Sequence, residues 1–308
     1  MSVTSAAARP TSLARRLHLP RADYSGYLFI APASVLTIVF SFISMAISLW
    51  MSFHKWDVLN PVHPWLGFKN YWYALTQDGD FWLSMRNTLY YTAVIVPALT
   101  VFGLLLAFIA NEVRRGRSFF RSIYYIPALT PTVALALVWT WLLRSDGALN
   151  SVLSAIGIQG PNWLMDPNWS MPAVLVYSIW AGVGGAMVIF MAGLNDIPAD
   201  FYEAAQLDGA NRRQMFWHVT VPLLRNPLIF VTVTNSLLAW QVFTQMYILE
   251  NTTGGPANST LTIAMKIYQE GFLNYKMGYA AAMSWLLFLV IFVIGAIQLR
   301  VYRSQQVY

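Results

Sequence analysis

The sequence predicts an all-α polytopic membrane protein with six transmembrane helices and both termini in the cytoplasm. Three observations predict it. Charged residues are only 10% of the 308, and hydrophobic residues are 57%, whereas an ordinary soluble domain carries ~25% charge. So few charges cannot cover apolar cores with a wetted surface, and the same figures exclude a disordered chain. Second, six long apolar runs hold no charge: 24–54, 87–111, 122–143, 167–195, 226–249 and 277–299. Each exceeds the ~20 helical residues that cross a ~30 Å hydrocarbon layer.

The third observation is where the basic residues fall. Alternate segments hold Arg9, Arg15, Arg16 and Arg21, then Arg114, Arg115, Arg117 and Arg121, then Arg212, Arg213 and Arg225, then Arg300 and Arg303, which is 13 of the 19 Lys and Arg. The intervening segments hold Lys55, Lys69, Arg86, Arg144, Lys266 and Lys276 and are longer, rich in Trp, Tyr and Pro. Basic residues stay on the cytoplasmic side, so the richer set marks the cytoplasm. The net charge of +6 is thereby a topology signal, and a nucleic-acid partner loses its support.

Taken in order, residues 1–26 form a cytoplasmic tail. The run after them is far longer than the 7–15 residue apolar core of a signal peptide, so a retained first span is expected, and the membrane domain extends over 27–301. Residues 147–165 are uncharged but too polar to span. Leu149, Val152, Leu153 and Ile156 follow i, i+3, i+4, i+7 spacing, which predicts a short amphipathic helix on a surface. Residues 302–308 form a second cytoplasmic tail. No cysteine is present, which removes disulfides, thiolate metal sites and cysteine nucleophiles. His18, His54, His63 and His218 lack metal-ligand spacing, and Arg114, Arg115, Arg117 and Arg121 read as topology determinants and lipid-headgroup contacts.

The loop 196–225 between spans four and five has a pattern of its own. Pro198 suits a first helical turn, Asp200 and Glu203 have capping-box spacing, and Gly209 suits a left-handed C-terminal cap. Asn211 then caps a second helix, which Pro222 ends or redirects. Small Ala204 and Ala205 allow another protein to approach the backbone, and the acidic end favours a cationic partner. Such a hairpin also fits a plain solvated spacer between two spans, and spacing alone does not choose.

Glu203-Ala204-Ala205, three residues, Gly209, nine residues, then Val219-x-Val221-Pro222 resembles the EAA signature of the membrane subunits of ATP-binding-cassette importers. Val219 and Val221 stand where Ile and Leu are usual. Asp208, Ala210, Phe216, Leu223 and Leu224 are similar to the sugar-importer version. The resemblance extends along the chain: Gly67-Phe68-Lys69-Asn70-Tyr71, Phe81-Trp82 and Asn87-Thr88; Pro127, Pro131, Trp139, Gly147 and Asn150; Trp163-Leu164-x-Asp166-Pro167; Thr253-Gly254-Gly255-Pro256, Ser259-Thr260 and Gly278-Tyr279-Ala280-Ala281. It implies the type I ABC importer permease fold, of the maltose/glycerol-3-phosphate type, in a bacterial inner membrane.

No G-x-x-x-x-G-K-[ST] occurs, and no Asp, Glu, Lys or Arg lies within the six runs, which argues against a proton relay. Energy must enter from outside the chain. The resemblance implies two ATPase subunits, which hold ATP and Mg, a second permease subunit and an extracytoplasmic substrate-binding protein; this chain has neither a cofactor nor a catalytic activity of its own. Glu203, Ala204, Ala205, Asp208, Gly209 and Pro222 are the expected ATPase-coupling residues. A stand-alone secondary transporter or channel should instead carry intramembrane acids or inverted repeats with broken helices, and an intramembrane enzyme H-E-x-x-H or a nucleophile with its base.

For substrate contact, the polar fifth span puts Thr234, Gln241 and Gln245 on one helical stripe, although such groups also bond between helices. The resemblance places the family's sugar-contact positions near Ser178, Ala181, Gly182 and Gly185 and near Asn235, Leu238, Ala239 and Val242, on a different face. The two arguments disagree. Ser178, Gly182, Gly185, Asn235 and Gln241 are the chosen candidates. Gly182, Gly184 and Gly185 also suit close helix packing, and Trp180 and Trp240 either stack on a sugar or fill the bundle.

Overall fold

The computed structural model describes residues 25–112, 116–250 and 254–304. They are mostly helical, with no strand among the described residues and a single bridge between His54 and Trp65. Arg9, Arg15, Arg16, Arg21, Arg114, Arg115, Thr253 and most of both expected tails lie outside the described residues.

The chain divides into a short unit ending at Ser48 and a main unit from Leu49. In the first, α1 (Ser25–Thr37) passes through a π turn at Ile38–Ile43 into α2 (Ser44–Ser52). Phe29–Ser52 has a mean hydropathy of 2.1, and a helix apolar on every side reads as a membrane span. Thr37 Oγ1 donates to Ala33 O at 2.9 Å, which satisfies the hydroxyl inside its own helix.

In the main unit, α3 (Lys69–Thr76) precedes α4 (Gly79–Glu112), whose N–H groups at Asp80 and Phe81 donate to Asp78 Oδ1 at 3.0 and 3.2 Å. A carboxylate there satisfies orphan donors and complements the helix dipole. Next, α5 (Arg117–Leu129) and α6 (Thr132–Leu142) meet at a 96° bend. Pro131 explains it: Thr130 takes an extended ψ of 140°, as the residue before proline prefers. The expected third span is therefore broken.

The amphipathic helix expected from 147–156 is present as α7 (Ala148–Ala155). Asn150 holds its loop, donating to Ser145 O and Pro161 O at 3.1 Å each and accepting from Trp163 Nε1 at 2.8 Å. The central element is α8 (Ser170–Asn195), which packs most extensively against α4. A Cβ on Gly103 of α4 would lie 2.7 Å from Ala186 Cβ, so small residues set this close crossing.

The loop 196–225 folds into α9 (Ala199–Leu207), α10 (Arg212–Met215), a π turn at Phe216–Thr220 and α11 (Val221–Leu223). Then α12 (Arg225–Ala239) departs at 65° to the preceding segment. The expected fifth span 226–249 is not continuous. Helical bonding tightens at Gln241 N to Leu238 O, 3.1 Å, and Val242 N to Ala239 O, 3.3 Å, and stops before α13 (Thr244–Leu249). Thr262 Oγ1 donates to Val242 O at 2.9 Å, which satisfies a carbonyl freed by the break. Last come α14 (Ile263–Tyr268) and α15 (Met277–Ser304). Among the described residues, four helices are long and apolar enough to cross a membrane, or up to six if each bent pair is one span.

Between α4, α14 and α15 lies an ion network that sequence patterning missed. Lys266 Nζ stands 3.0 Å from Glu270 Oε1 and 3.4 Å from Asp78 Oδ2, with all three side chains at most 10% exposed, and the Tyr279 hydroxyl donates to Asp78 Oδ2 at 2.6 Å. Burial is the largest influence on both carboxyls and pushes them up. The Tyr279 hydroxyl and Lys266 hold Asp78, and Lys266 and Lys276 hold Glu270, below the usual carboxylate range all the same. Burial pulls the Lys266 ammonium down, but Glu270 and Asp78 raise it on balance.

Removing one partner of a buried ion cluster costs about 3–5 kcal/mol, so Lys266→Met should lower the melting temperature in detergent by about 10 °C. The carboxyls stabilise the fold above their ordinary pKa near ~4, and this is lost as pH falls through their lowered values. Lys266 stabilises it below its ordinary ~10.4, and this is lost as pH rises through its raised value. Melting against pH should show a plateau with a fall at each end. In Lys266→Met, acid should instead stabilise, because protonation relieves the unpaired carboxylates; unchanged melting would refute the account.

Candidate functional site

Two assemblies of residues stand out. The first is the hairpin of α9 and α10. Pro198 occupies the N-cap of α9 with no side-chain cap, so the capping pair expected from Asp200 and Glu203 does not form. The N-cap lies two residues before Asp200, which leaves that carboxylate inside the first turn, where the dipole favours it. The C-terminus follows expectation: Asp208 N donates to Ala204 O, Gly209 N to Gln206 O and Ala210 N to Ala205 O, at 2.9–3.0 Å, with Gly209 at φ 81°. A Cβ on Gly209 would meet nothing within 4 Å. Its requirement for glycine is conformational, not steric.

Asn211 caps α10 as expected, accepting from Gln214 N at 3.0 Å while its own N–H donates to Gln214 Oε1 at 2.8 Å, a complete capping box. Tyr202 OH and Thr220 Oγ1 pair at 3.0 Å and tie α9 to the π turn. Pro222 sits inside α11, at the bend. Glu203, Ala204, Asp208 and Gly209 are exposed and Ala205 is half-buried. Leu207 is 89% exposed beside them.

The second assembly is a cavity of about 320 Å³ among α4, α6, α8, α12 and α13. Seven of the eight positions carried over by resemblance line it: Ser178, Ala181, Gly182, Asn235, Leu238, Ala239 and Val242. Only Gly185 does not, and open space faces its Cβ direction. The two helix breaks flank the same cavity, since Thr130, Thr132 and Val242 also line it.

Thr234, Gln241 and Gln245 do not share a face. The break at 240–243 destroys the 100° periodicity: Thr234 faces a different cavity, of about 390 Å³, with Phe230 and Tyr302, whereas Gln245 lines the central one. Gln241 is exposed and donates to Leu237 O at 2.9 Å, away from the cavity. Of the chosen candidates, Ser178, Gly182 and Asn235 converge, and Gly185 and Gln241 do not. Gly184 is a packing residue, because its Cβ would strike the Tyr124 carbonyl of α5. Trp240 is buried in the core of α3, α4 and α15, and Trp180 leans on Trp139 at 5.5 Å; neither lines the cavity.

Sequence reasoning missed Tyr91, which lines the cavity from α4 and accepts from Gln245 Nε2 at 3.3 Å, and Tyr177, whose hydroxyl donates to Thr132 O at 3.1 Å. Hydroxyls well inside the second and fourth apolar runs were the available signal. A separate cavity of about 590 Å³ lies beside Arg144, Asp146 and Glu250. Burial pushes the Glu250 carboxyl up to about 7.

Residues 99–306 match the family model described as binding-protein-dependent transport system inner membrane component. The chain is 34% identical over 284 residues to the probable ABC transporter permease protein YesP of Bacillus subtilis (strain 168), covering 92% of this chain and 90% of that one. It is 32% identical over 288 residues to the lactose transport system permease protein LacF of Rhizobium radiobacter, covering 92% and 96%. A crystal structure of a bacterial ABC transporter involved in the import of the acidic polysaccharide alginate superposes with a TM-score of 0.77 at 27% identity, covering 92% and 96%. A multi-pass chain with this signature loop, this core and these relatives belongs to the family of inner-membrane permease subunits of binding-protein-dependent ABC transport systems.

Proposed function

We propose that this subunit forms one wall of the pathway of an ATP-driven importer for a carbohydrate-class solute, working with a second permease subunit, two ATPase subunits and an extracytoplasmic binding protein. The convergence of seven carried-over positions on one cavity carries the reading. They come from α8, α12 and the break after α12, more than 50 residues apart at the extremes, and lie between the two helix breaks. Relatives handle lactose and alginate, which supports a sugar or related polar solute here.

The proposed topology has six spans, counting each bent pair as one, with both termini and the 196–225 loop in the cytoplasm. Two contacts support it. Arg225 donates to Tyr302 O at 2.9 Å, joining the turn after the hairpin to the end of α15. The Lys266, Asp78 and Glu270 network joins segments from the opposite set. The domain limits follow: tails over 1–26 and 302–308 and a permease domain over 27–301.

The hairpin is the proposed coupling element. Glu203 makes a charged contact with a groove of one ATPase, Ala204 and Ala205 allow the close fit, Asp208 extends the acidic end, Gly209 makes the turn and Pro222 redirects the chain into α12. Closure of the ATPase pair then pushes the hairpin, and the motion passes to α8 and α12 at its two ends. Gly193 and Pro227 are in close contact there, with only 2.5 Å between a Cβ on Gly193 and Pro227 Cγ. The cavity thereby alternates between inward and outward access.

Affinity purification of this chain should recover two ATPase chains and a second permease; a homo-oligomer that transports without ATP would overturn the reading. Gly209→Val should abolish uptake with insertion intact, since a β-branched residue in the left-handed conformation costs about 1–2 kcal/mol. Gly209→Asn, which tolerates that conformation, should retain part of it. Asn211→Ala should loosen α10 by about 1 kcal/mol, read as roughly fivefold faster proteolysis of the hairpin.

A further inference from the structure

We infer that α3 lies in the surface of the bilayer on the extracytoplasmic side, with Trp65, Phe68, Trp72 and Leu75 dipping into the boundary between lipid headgroups and acyl chains. The side rests on the topology proposed above, and the depth rests on where the helices end. Ser52 ends the apolar run Phe29–Ser52, Gly79 opens Gly79–Asn111 and Met277 opens Met277–Tyr302. Each of these ends meets α3. Asn70 Nδ2 donates to Ser52 O and His54 O at 2.8 and 3.0 Å, and the Tyr71 hydroxyl pairs with Ser52 Oγ at 2.7 Å. Trp82, in the first turn of α4, donates Nε1 to Leu75 O at 3.0 Å, and the Tyr73 ring meets that of Tyr279 at 5.3 Å. A helix held to three such ends lies at the level where hydrocarbon gives way to headgroups.

At 100° per residue, α3 divides into three sectors. Asn70, Tyr71 and Ala74 face the protein, and Ala74 is fully buried. Lys69 and Thr76 form a polar arc and are exposed. Phe68, Trp72 and Leu75, at i, i+4 and i+7, form an apolar arc. Trp65 joins it through Phe53, whose ring lies 5.5 Å from that of Trp65 and 5.3 Å from that of Phe68. These four residues are 43–74% exposed, an open apolar patch on the order of 500 Å². A wet flank beside an apolar one is what a helix lying in a bilayer surface requires. Tryptophan is enriched at that depth, where its ring is apolar and its indole N–H reaches headgroup oxygens. Lys69 can lay its stem along Phe68 and raise its ammonium to the phosphates. The patch continues through Trp82 to Leu89, which is also exposed, and so runs into the flank of the spanning helix α4.

The chain holds no cysteine, so single cysteines can be labelled cleanly. The test is nitroxide labelling of Trp72→Cys, Leu75→Cys and Thr76→Cys in the complete importer, in vesicles of phosphatidylethanolamine and phosphatidylglycerol. At 72 and 75, collision with oxygen, which concentrates in hydrocarbon, should exceed collision with a water-soluble nickel chelate. At 76, on the polar arc, the order should reverse. A label at 72 that the chelate reaches as readily as at 76 overturns the inference. So does a label that neither reagent reaches, because a protein then covers the patch. If Trp72→Cys does not assemble, Leu75→Cys decides by the same comparison. A membrane-impermeant thiol reagent that reaches Thr76→Cys only from the cytoplasmic side overturns the topology instead.

Discussion

In a hydrocarbon layer no water is at hand to satisfy an open backbone N–H or C=O, so a spanning helix is interrupted only where protein or an aqueous cavity takes over its hydrogen bonds. Most of this structure follows from how that constraint is met. The chain breaks regular helix at 130–131 and at 240–243, and both breaks line one cavity. The first comes from Pro131 and the extended residue before it. At the second, Thr262 bonds to the Val242 carbonyl. An unbroken α8 runs between them and carries Ser178 and Gly182 into the opening.

Charge is used sparingly and in two ways. One group of charges is buried and neutralised: Lys266, Asp78 and Glu270 pin three segments together, with Tyr279 completing the network. Another is left open on the 196–225 hairpin, where Glu203 and Asp208 stand exposed beside Leu207. Burial of the first set strengthens each interaction, and exposure of the second leaves it available to a partner. The cavity between them carries no formal charge. Its wall offers hydroxyls and amides, whose hydrogen bonds are individually modest.

Much of this was legible in the residues. The short helix of Leu149, Val152 and Leu153, the left-handed Gly209, the Asn211 cap and the turn at Pro222 all rest on local steric and hydrogen-bonding preferences. The Asp200–Glu203 cap did not form, because Pro198 starts the helix earlier than that spacing implies. The polar stripe of Thr234, Gln241 and Gln245 assumed a continuous helix, and a break after Ala239 sent those side chains to different places. Positions transferred by resemblance, apart from Gly185, lie around one cavity.

What the sequence by itself determined are the properties set by neighbours along the chain: the apolar runs, the alternation of basic-rich segments between them, the C-terminal turn and the Asn211 cap of the hairpin. Each depends on interactions within a few residues, which a linear reading can see. Only the tertiary structure decided which polar groups share a cavity, that Gly184 packs while Gly182 opens onto space, and that Lys266 meets Asp78 across 188 positions of chain. Those outcomes depend on where helices bend and cross, and the side chains that meet there leave no periodic mark in the sequence.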